Sequence, residues 1–259
     1  MVSIQYVLSL WFQLPLVVTS CIETNEHIKI DCKDCKIKSK PFQQLTEEQM
    51  NRVDERRAEL SYKKGELLSK QGMLMSHIIY IRKGFVKLFL ENGGEVTIIS
   101  IAKPGTFIGV QALYGESEYP FSAEAMTDTE VCLKDINVFR ELVLENPEFA
   151  RGVIEILNSN LVQSYKRMFS LTTKQIDARF SELLLYMRNV LYASNPFKLT
   201  ISRKEIAGLI STSPESVSRL ISDFKDKGII AGKGQVIEIL DASKLEGICN
   251  CESLDTYKI

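Results

Sequence analysis

The stretch Ser202-Arg203-Lys204-Glu205-Ile206-Ala207-Gly208-Leu209-Ile210, then Ser211-Thr212, then Ser213-Pro214-Glu215-Ser216-Val217-Ser218-Arg219-Leu220-Ile221, decides the fold. Ser202 with Glu205 three residues on is a capping box, in which a hydroxyl and a carboxylate satisfy the orphan N–H groups of a helix start. Ser213 repeats the signal as an N-cap, and Pro214 suits the first helical position, where no N–H is needed. Ser211-Thr212 is left as a tight turn between two short helices. Val217, Leu220, Ile221 and Phe224 recur at helical spacing and face a core, which turns Glu215, Ser216, Ser218, Arg219 and Ser222 outward. This is helix-turn-helix geometry, in which the N-terminal part of the second helix enters a DNA major groove.

The outward residues carry base-reading chemistry. Arg219 can bond a guanine edge in two places, and Glu215 can accept from a cytosine amino group. They are four apart, so they share a face and Glu215 can orient the guanidinium. Thr212, Ser213, Ser216 and Ser218 are candidates for phosphate or base contacts. Lys227 to Ile230 and Gly232 to Ile239 read as a two-stranded wing with Lys233 at its tip, suited to a phosphate. Seven Lys/Arg stand against five Asp/Glu from Lys198 to Leu240, a modest positive balance. A plain helical hairpin with a solvated Glu215–Arg219 pair is the competing reading. The capped second helix, tight turn and Gly-bounded hairpin together are far more specific than that.

Working outward, Asn195-Pro196 ends an amphipathic helix over Ile176 to Tyr192. Before it, Phe149, Val153, Leu157, Leu161 and Tyr165 are four apart, and no break occurs from Pro147 to Thr172. A long helix with one apolar stripe between two domains is expected to pair with a second copy of itself, through Val153, Leu157, Leu161 and Tyr165. From Leu60 to Asp135 short alternating runs are separated by Gly-containing turns, which reads as an antiparallel roll. Thr46 with Gln49 is a second capping box, opening a short helix. The fold class is therefore α+β: an N-terminal antiparallel β-roll, a long dimerisation helix and a C-terminal winged helix-turn-helix. The boundaries read as an extension over 1–40, the roll over 41–146, the helix over 147–172, the winged module over 173–245 and a tail over 246–259.

The chain has 259 residues, 45% hydrophobic and 25% charged, the profile of a soluble globular protein of one large or two ordinary domains. A net charge of -1 gives no global basic signal, but a local basic face suffices for DNA. Only two histidines are present, His27 and His77, and no nucleophile–base set or phosphate loop appears, so an enzyme is not expected. Ile4 to Ile22 is apolar and Val18-Thr19-Ser20-Cys21 looks like a lipoprotein cleavage site. The absence of Lys or Arg before Lys29 argues against export. An N-terminal extension and a start assigned too far upstream both stay open. The expected location is the cytoplasm, with no membrane partner.

Several stretches resemble the Crp/Fnr family of bacterial regulators: Tyr62-Lys63-Lys64-Gly65-Glu66; Gly72…Tyr80-Ile81…Gly84-Phe85-Val86-Lys87; Pro104-Gly105-Thr106-Phe107-Ile108-Gly109; Ala123-Glu124-Ala125; the Asn146-Pro147 helix entry; and the helix-turn-helix. The resemblance covers roughly residues 41–240 and implies a cyclic-nucleotide-binding-like roll, a homodimer on double-stranded DNA, and contact with RNA polymerase if the protein is an activator. The Glu215-Ser216-Val217-Ser218-Arg219 stretch looks like the Fnr branch, which reads TTGAT-type half-sites.

In the family's nucleotide-binding branch a Glu and an Arg after the Gly109 position hold ribose and phosphate. Here Val110 follows, and Gly109 to Ala125 contains no Lys or Arg. A buried phosphate needs positive charge or several aligned donors, so cyclic AMP is not expected. Phe107, Gly109, Leu113, Tyr114, Tyr119 and Phe121 are either a pocket for an apolar effector or plain roll core. In the oxygen-sensing branch four cysteines hold a 4Fe–4S cluster. Cys32, Cys35 and Cys132 match three of them, but Pro41 stands at the place of the third N-terminal cysteine. A cluster or zinc is one reading of the thiols, and reduced structural cysteines the other. A sensor or scaffold that does not bind DNA is the alternative function, and Arg219 beside Glu215 argues against it.

Overall fold

The computed structural model describes Cys35, residues 37–115 and residues 117–250. Cys32 and the readings made for residues 1–22 and for the last residues of the tail lie outside the described residues. Two short helices, α1 (Lys40–Gln43) and α2 (Glu47–Glu55), precede the roll. Thr46 and Gln49 form the expected capping box of α2, each side chain accepting from the other's backbone N–H.

The roll is built from β1 (Arg57–Tyr62), β2 (Leu67–Ser69), β3 (His77–Lys83), β4 (Val86–Asn92), β5 (Glu95–Ala102), β6 (Phe107–Ile108), β7 (Ser122–Ala125) and β8 (Thr129–Asp135). They form two four-stranded sheets, in the orders β1-β8-β3-β6 and β2-β7-β4-β5, with every pairing antiparallel. Strand alternation decides what each face meets. Ile79, Ile81 and Val131 from the first sheet meet Val86, Leu88 and Ala123 from the second, and this is the dry core between them. The opposite face of the first sheet, with Ile78, Tyr80 and Cys132, is covered by Phe42, Phe139 and Phe149 from helices. Phe89 and Ile98 of the second sheet belong to the core of the C-terminal module.

After β8 come α3 (Ile136–Glu145) and α4 (Pro147–Thr173). Asp135 caps α3 by accepting from Asn137 N–H. Asn146 caps α4: its Oδ1 accepts from Phe149 N–H at 3.0 Å, while its Nδ2 donates to the Gln44 carbonyl and to Gln49. The start of α4 is thereby tied to the α1–α2 loop. Gly152 completes that contact, since a Cβ there would lie 2.8 Å from the Pro41 ring.

The C-terminal module comprises α5 (Ile176–Tyr186, continued by a π turn to Leu191), β9 (Phe197–Lys198), α6 (Arg203–Ile210), α7 (Pro214–Asp226), β10 (Ile230–Ala231), β11 (Val236–Ile239) and α8 (Ala242–Cys249). Two features differ from the sequence reading. The wing sheet has three strands, because β9 pairs with β11 as well. The tail read from residue 246 begins inside α8, whose Leu245 and Cys249 are buried in the module's core.

Candidate nucleic-acid interface and effector region

The two helices of the reading motif start as the sequence dictates. Ser202 accepts from Glu205 N–H at 3.2 Å and Glu205 accepts from Ser202 N–H at 2.7 Å. Burial pushes the Glu205 carboxyl up, but the Ser202 donors and then Lys87 outweigh it and hold the carboxyl below its ordinary value. Ser211 closes α6 in the left-handed region at φ 50°, which swings the chain into the turn. Ser213 caps α7 by accepting from Ser216 N–H at 3.2 Å, with Pro214 in the first turn.

Val217 and Phe224 seat α7 in the core, while Glu215, Ser218, Arg219 and Ser222 are exposed on its other face. The hydroxyls differ in what they have left to give. Ser213 and Ser216 lie 3.2 Å apart within the cap, and the Ser218 hydroxyl donates to the Pro214 carbonyl, which leaves it as an acceptor only. Thr212 is half-buried, its N–H bonded to the Ala207 carbonyl. The Glu215 carboxylate is held below its ordinary value by its own N–H first, then by the Ser213 hydroxyl, with a weaker pull from Arg219. Lys233 is exposed at the wing turn. Its neighbour Gly232 has φ 128°, and a Cβ there would lie 2.0 Å from the Val236 carbonyl oxygen, so the tight tip requires glycine.

The residues read as a dimer stripe do not share one face. Val153 is buried in the cluster beneath the roll and Leu157 packs partly against it, whereas Leu161 and Tyr165 are exposed. Positions four apart drift by about 40° per step around a helix of 3.6 residues per turn, so the row winds from the chain's own core to the surface. Ile154, Leu161, Tyr165 and Met168 form the outward apolar seam, flanked by Val162 and Phe169.

The six residues named as an effector pocket also part company. Phe107 and Phe121 line a cleft with α4 and α5. Leu113 is buried in the helix-covered cluster, where Phe107 also stacks on Phe42. Gly109 lies under the Met75 sulfur, Tyr114 is on the surface, and Tyr119 donates to the His77 carbonyl at 2.8 Å. Burial, then Tyr62, pushes the Tyr119 phenol up to about 12. Aromatic content in the sequence did not distinguish lining from core.

Neither Cys35 nor Cys132 is in a disulfide. Cys132 lies opposite Tyr80 in the β3–β8 ladder, and the Tyr80 hydroxyl donates to the Ile37 carbonyl, so the chain just after Cys35 crosses the face that bears Cys132. The Nη1 of Arg57 donates to that thiol's Sγ at 3.8 Å. Pro41, at the place of the family's third N-terminal thiolate, is buried. Among the described residues no group of three or more His, Cys, Asp or Glu gathers at one point.

The module is joined to the roll by charge and hydrogen bonds. Lys87 in β4 lies 2.6 Å from Glu124 and 3.3 Å from Glu205 in α6. Arg167 of α4 donates from Nη2 to the carbonyls of Ile98 in β5 and Leu209 in α6, both at 2.8 Å.

A family model described as a cyclic nucleotide-binding domain matches residues 59–146, and one described as a Crp-like helix-turn-helix domain matches residues 178–248. Relatives include the transcriptional activator protein Anr of Pseudomonas protegens, 29% identical over 86% of this chain and 94% of its own length. FnrA of Stutzerimonas stutzeri is 27% identical over 90% and 96%. The structure of FixK2 from Bradyrhizobium japonicum superposes with a TM-score of 0.70 at 23% identity, covering 74% of this chain and 96% of that one. The chain belongs to the Crp/Fnr family, a class of DNA-binding transcription regulators. The relatives it matches are regulators and not enzymes, in agreement with the sequence reading.

Proposed function

We propose that this protein is a cytoplasmic, homodimeric transcription regulator that reads an inverted-repeat operator with α7, under control of a signal received at the roll. The observation that carries the reading is the exposed face of α7, where Glu215, Ser218, Arg219 and Ser222 stand clear of a core that fixes the helix from behind. Arg219 contacts a guanine edge and Glu215 discriminates the adjoining pair. No ion pair joins these two side chains among the described residues, so the guanidinium is available to a base. Lys233 reaches a phosphate, Thr212, Ser213 and Ser216 supply hydroxyl donors at the backbone, and Ser218 offers an acceptor to a base amino group. Two copies joined along the α4 seam present two α7 helices to half-sites about one helical turn apart. The relatives named as activators favour a further contact with RNA polymerase. Among the described residues no helix is long and apolar enough to cross a membrane.

Fluorescence anisotropy over a base-substitution series tests the assignment. Arg219→Ala is expected to cost roughly 1–3 kcal/mol on the specific site and to relax preference at one base pair. Lys233→Ala is expected to weaken all sequences about equally and to lower the salt slope by about one. Uniform weakening by Arg219→Ala would make it a phosphate contact and remove its base-reading role.

A further inference from the structure

A cleft of about 330 Å³ lies where the roll, α4, α5 and α6 meet. Its apolar lining comes from both sides: Leu88, Ile101 and Phe121 from the roll, and Leu183, Leu209 and Ile210 from the helices. Its charge is one-sided. Lys103, Lys166, Arg167 and Arg179 line it, and Glu182 is the acidic residue among the lining. Glu182 is already committed, with Oε1 2.6 Å from Lys174 Nζ and Oε2 accepting from the Ser170 hydroxyl.

The two arginines have no such compensation. Arg167 is bonded to neutral carbonyls, and burial alone pulls its guanidinium below the ordinary value, with no carboxylate offsetting that loss. The Arg179 Nε is buried without a hydrogen bond, and no ion pair involves this residue among the described ones. The Arg167 guanidinium loses water without an anionic partner, which is costly, and the buried Nε–H of the half-buried Arg179 is a donor without an acceptor, an exception that calls for a ligand or water. Arginine's planar fork matches a carboxylate in two places.

We propose that this cleft binds a small monocarboxylate with an apolar body, its carboxylate on Arg179 and Arg167 and its body against Leu88, Ile101, Phe121 and Leu183. This rests on the reading of the protein as a signal-controlled regulator and gives that signal a chemical class. The charge that selects the ligand comes from α4 and α5, not from the roll segment after Gly109. Arg167 also bonds Leu209 of α6, so an occupied cleft acts directly on the seat of the DNA-reading module.

Calorimetry on the full-length protein tests this with octanoate and 4-phenylbutyrate, beside octanamide, octyl phosphate and cyclic AMP. The expected result is saturable binding of the two carboxylates, at least tenfold weaker binding of octanamide, and at least a tenfold loss of octanoate affinity in Arg179→Gln. Among the described residues no side-chain hydrogen bond or ion pair of Arg179 is lost in the variant, and circular dichroism checks its fold. Should Arg179→Gln misfold, Arg179→Lys, which keeps charge but loses the fork, must still bind octanoate more weakly than the parent. No carboxylate binding at millimolar concentration, equal binding of octanamide, unchanged affinity in the arginine variant, or tighter binding of octyl phosphate or cyclic AMP would each overturn the proposal. Operator binding is measured separately without ligand. Its loss speaks against the regulator reading and leaves the cleft result standing.

Discussion

At the scale of single residues, the motif depends on side chains that either free or consume a hydrogen-bonding group. Ser211 is the strained member, holding a left-handed backbone at φ 50° where a β-carbon costs about 1 kcal/mol. Ser211→Gly should therefore raise Tm by roughly 2–4 °C without altering operator affinity. An unchanged or lowered Tm in a thermal melt would mean that the hydroxyl or the reduced unfolded-state entropy of serine matters more than the strain. The segment after Gly109 makes a second residue-scale case. Val110 is buried where the family's nucleotide-binding branch places a carboxylate, and no Lys or Arg follows up to Ala125. Cyclic AMP should give no binding heat up to millimolar concentration. Micromolar affinity would show that aligned backbone donors or a distant arginine supplies the charge.

At the scale of elements, the outward seam of α4 is the feature that asks for a partner. Ile154, Leu161, Tyr165 and Met168 are exposed at 65%, 49%, 57% and 60%, more than a solitary helix face needs to leave to water. Ile154, Leu161 and Met168 are seven apart with Tyr165 four past Leu161, the spacing of a helix paired along its length. Leu161→Asp with Tyr165→Asp should give monomers in sedimentation with the roll still folded. A double variant that remains a dimer would place the interface elsewhere. Leu157→Asp is a poorer test, since Leu157 packs against the chain's own core and its loss confuses folding with assembly.

Capping signals are local, and for that reason both capping boxes and the Ser213 cap were legible from residues three apart. The alternation of the roll was legible too. The α4 row was legible only in part, because positions four apart drift and packing decides where the row turns inward: Val153 is buried in the chain's own core, while Leu161 and Tyr165 stay outward. Helix α3 passed unread although Asp135 with Ile136, Phe139 and Leu142 carried its signal. That Arg167 and Arg179 line one cleft left no trace in sequence, since it depends on how α4 and α5 close over the roll.

At the scale of the whole molecule, three cores are stacked through the roll, and the reading module shares one of them with the second sheet. Lys87 and Arg167 cross that junction, so a signal at the roll has a short route to α6. What the molecule does with this arrangement depends on whether two α7 helices read one operator. Selection of binding sites from random duplexes by the purified protein measures that directly. The account predicts enrichment of an inverted repeat whose half-site centres lie about one helical turn apart, with one guanine position per half-site losing its enrichment when Arg219→Ala is used instead. A selected direct repeat or single half-site, or no enrichment over non-specific binding, would contradict it.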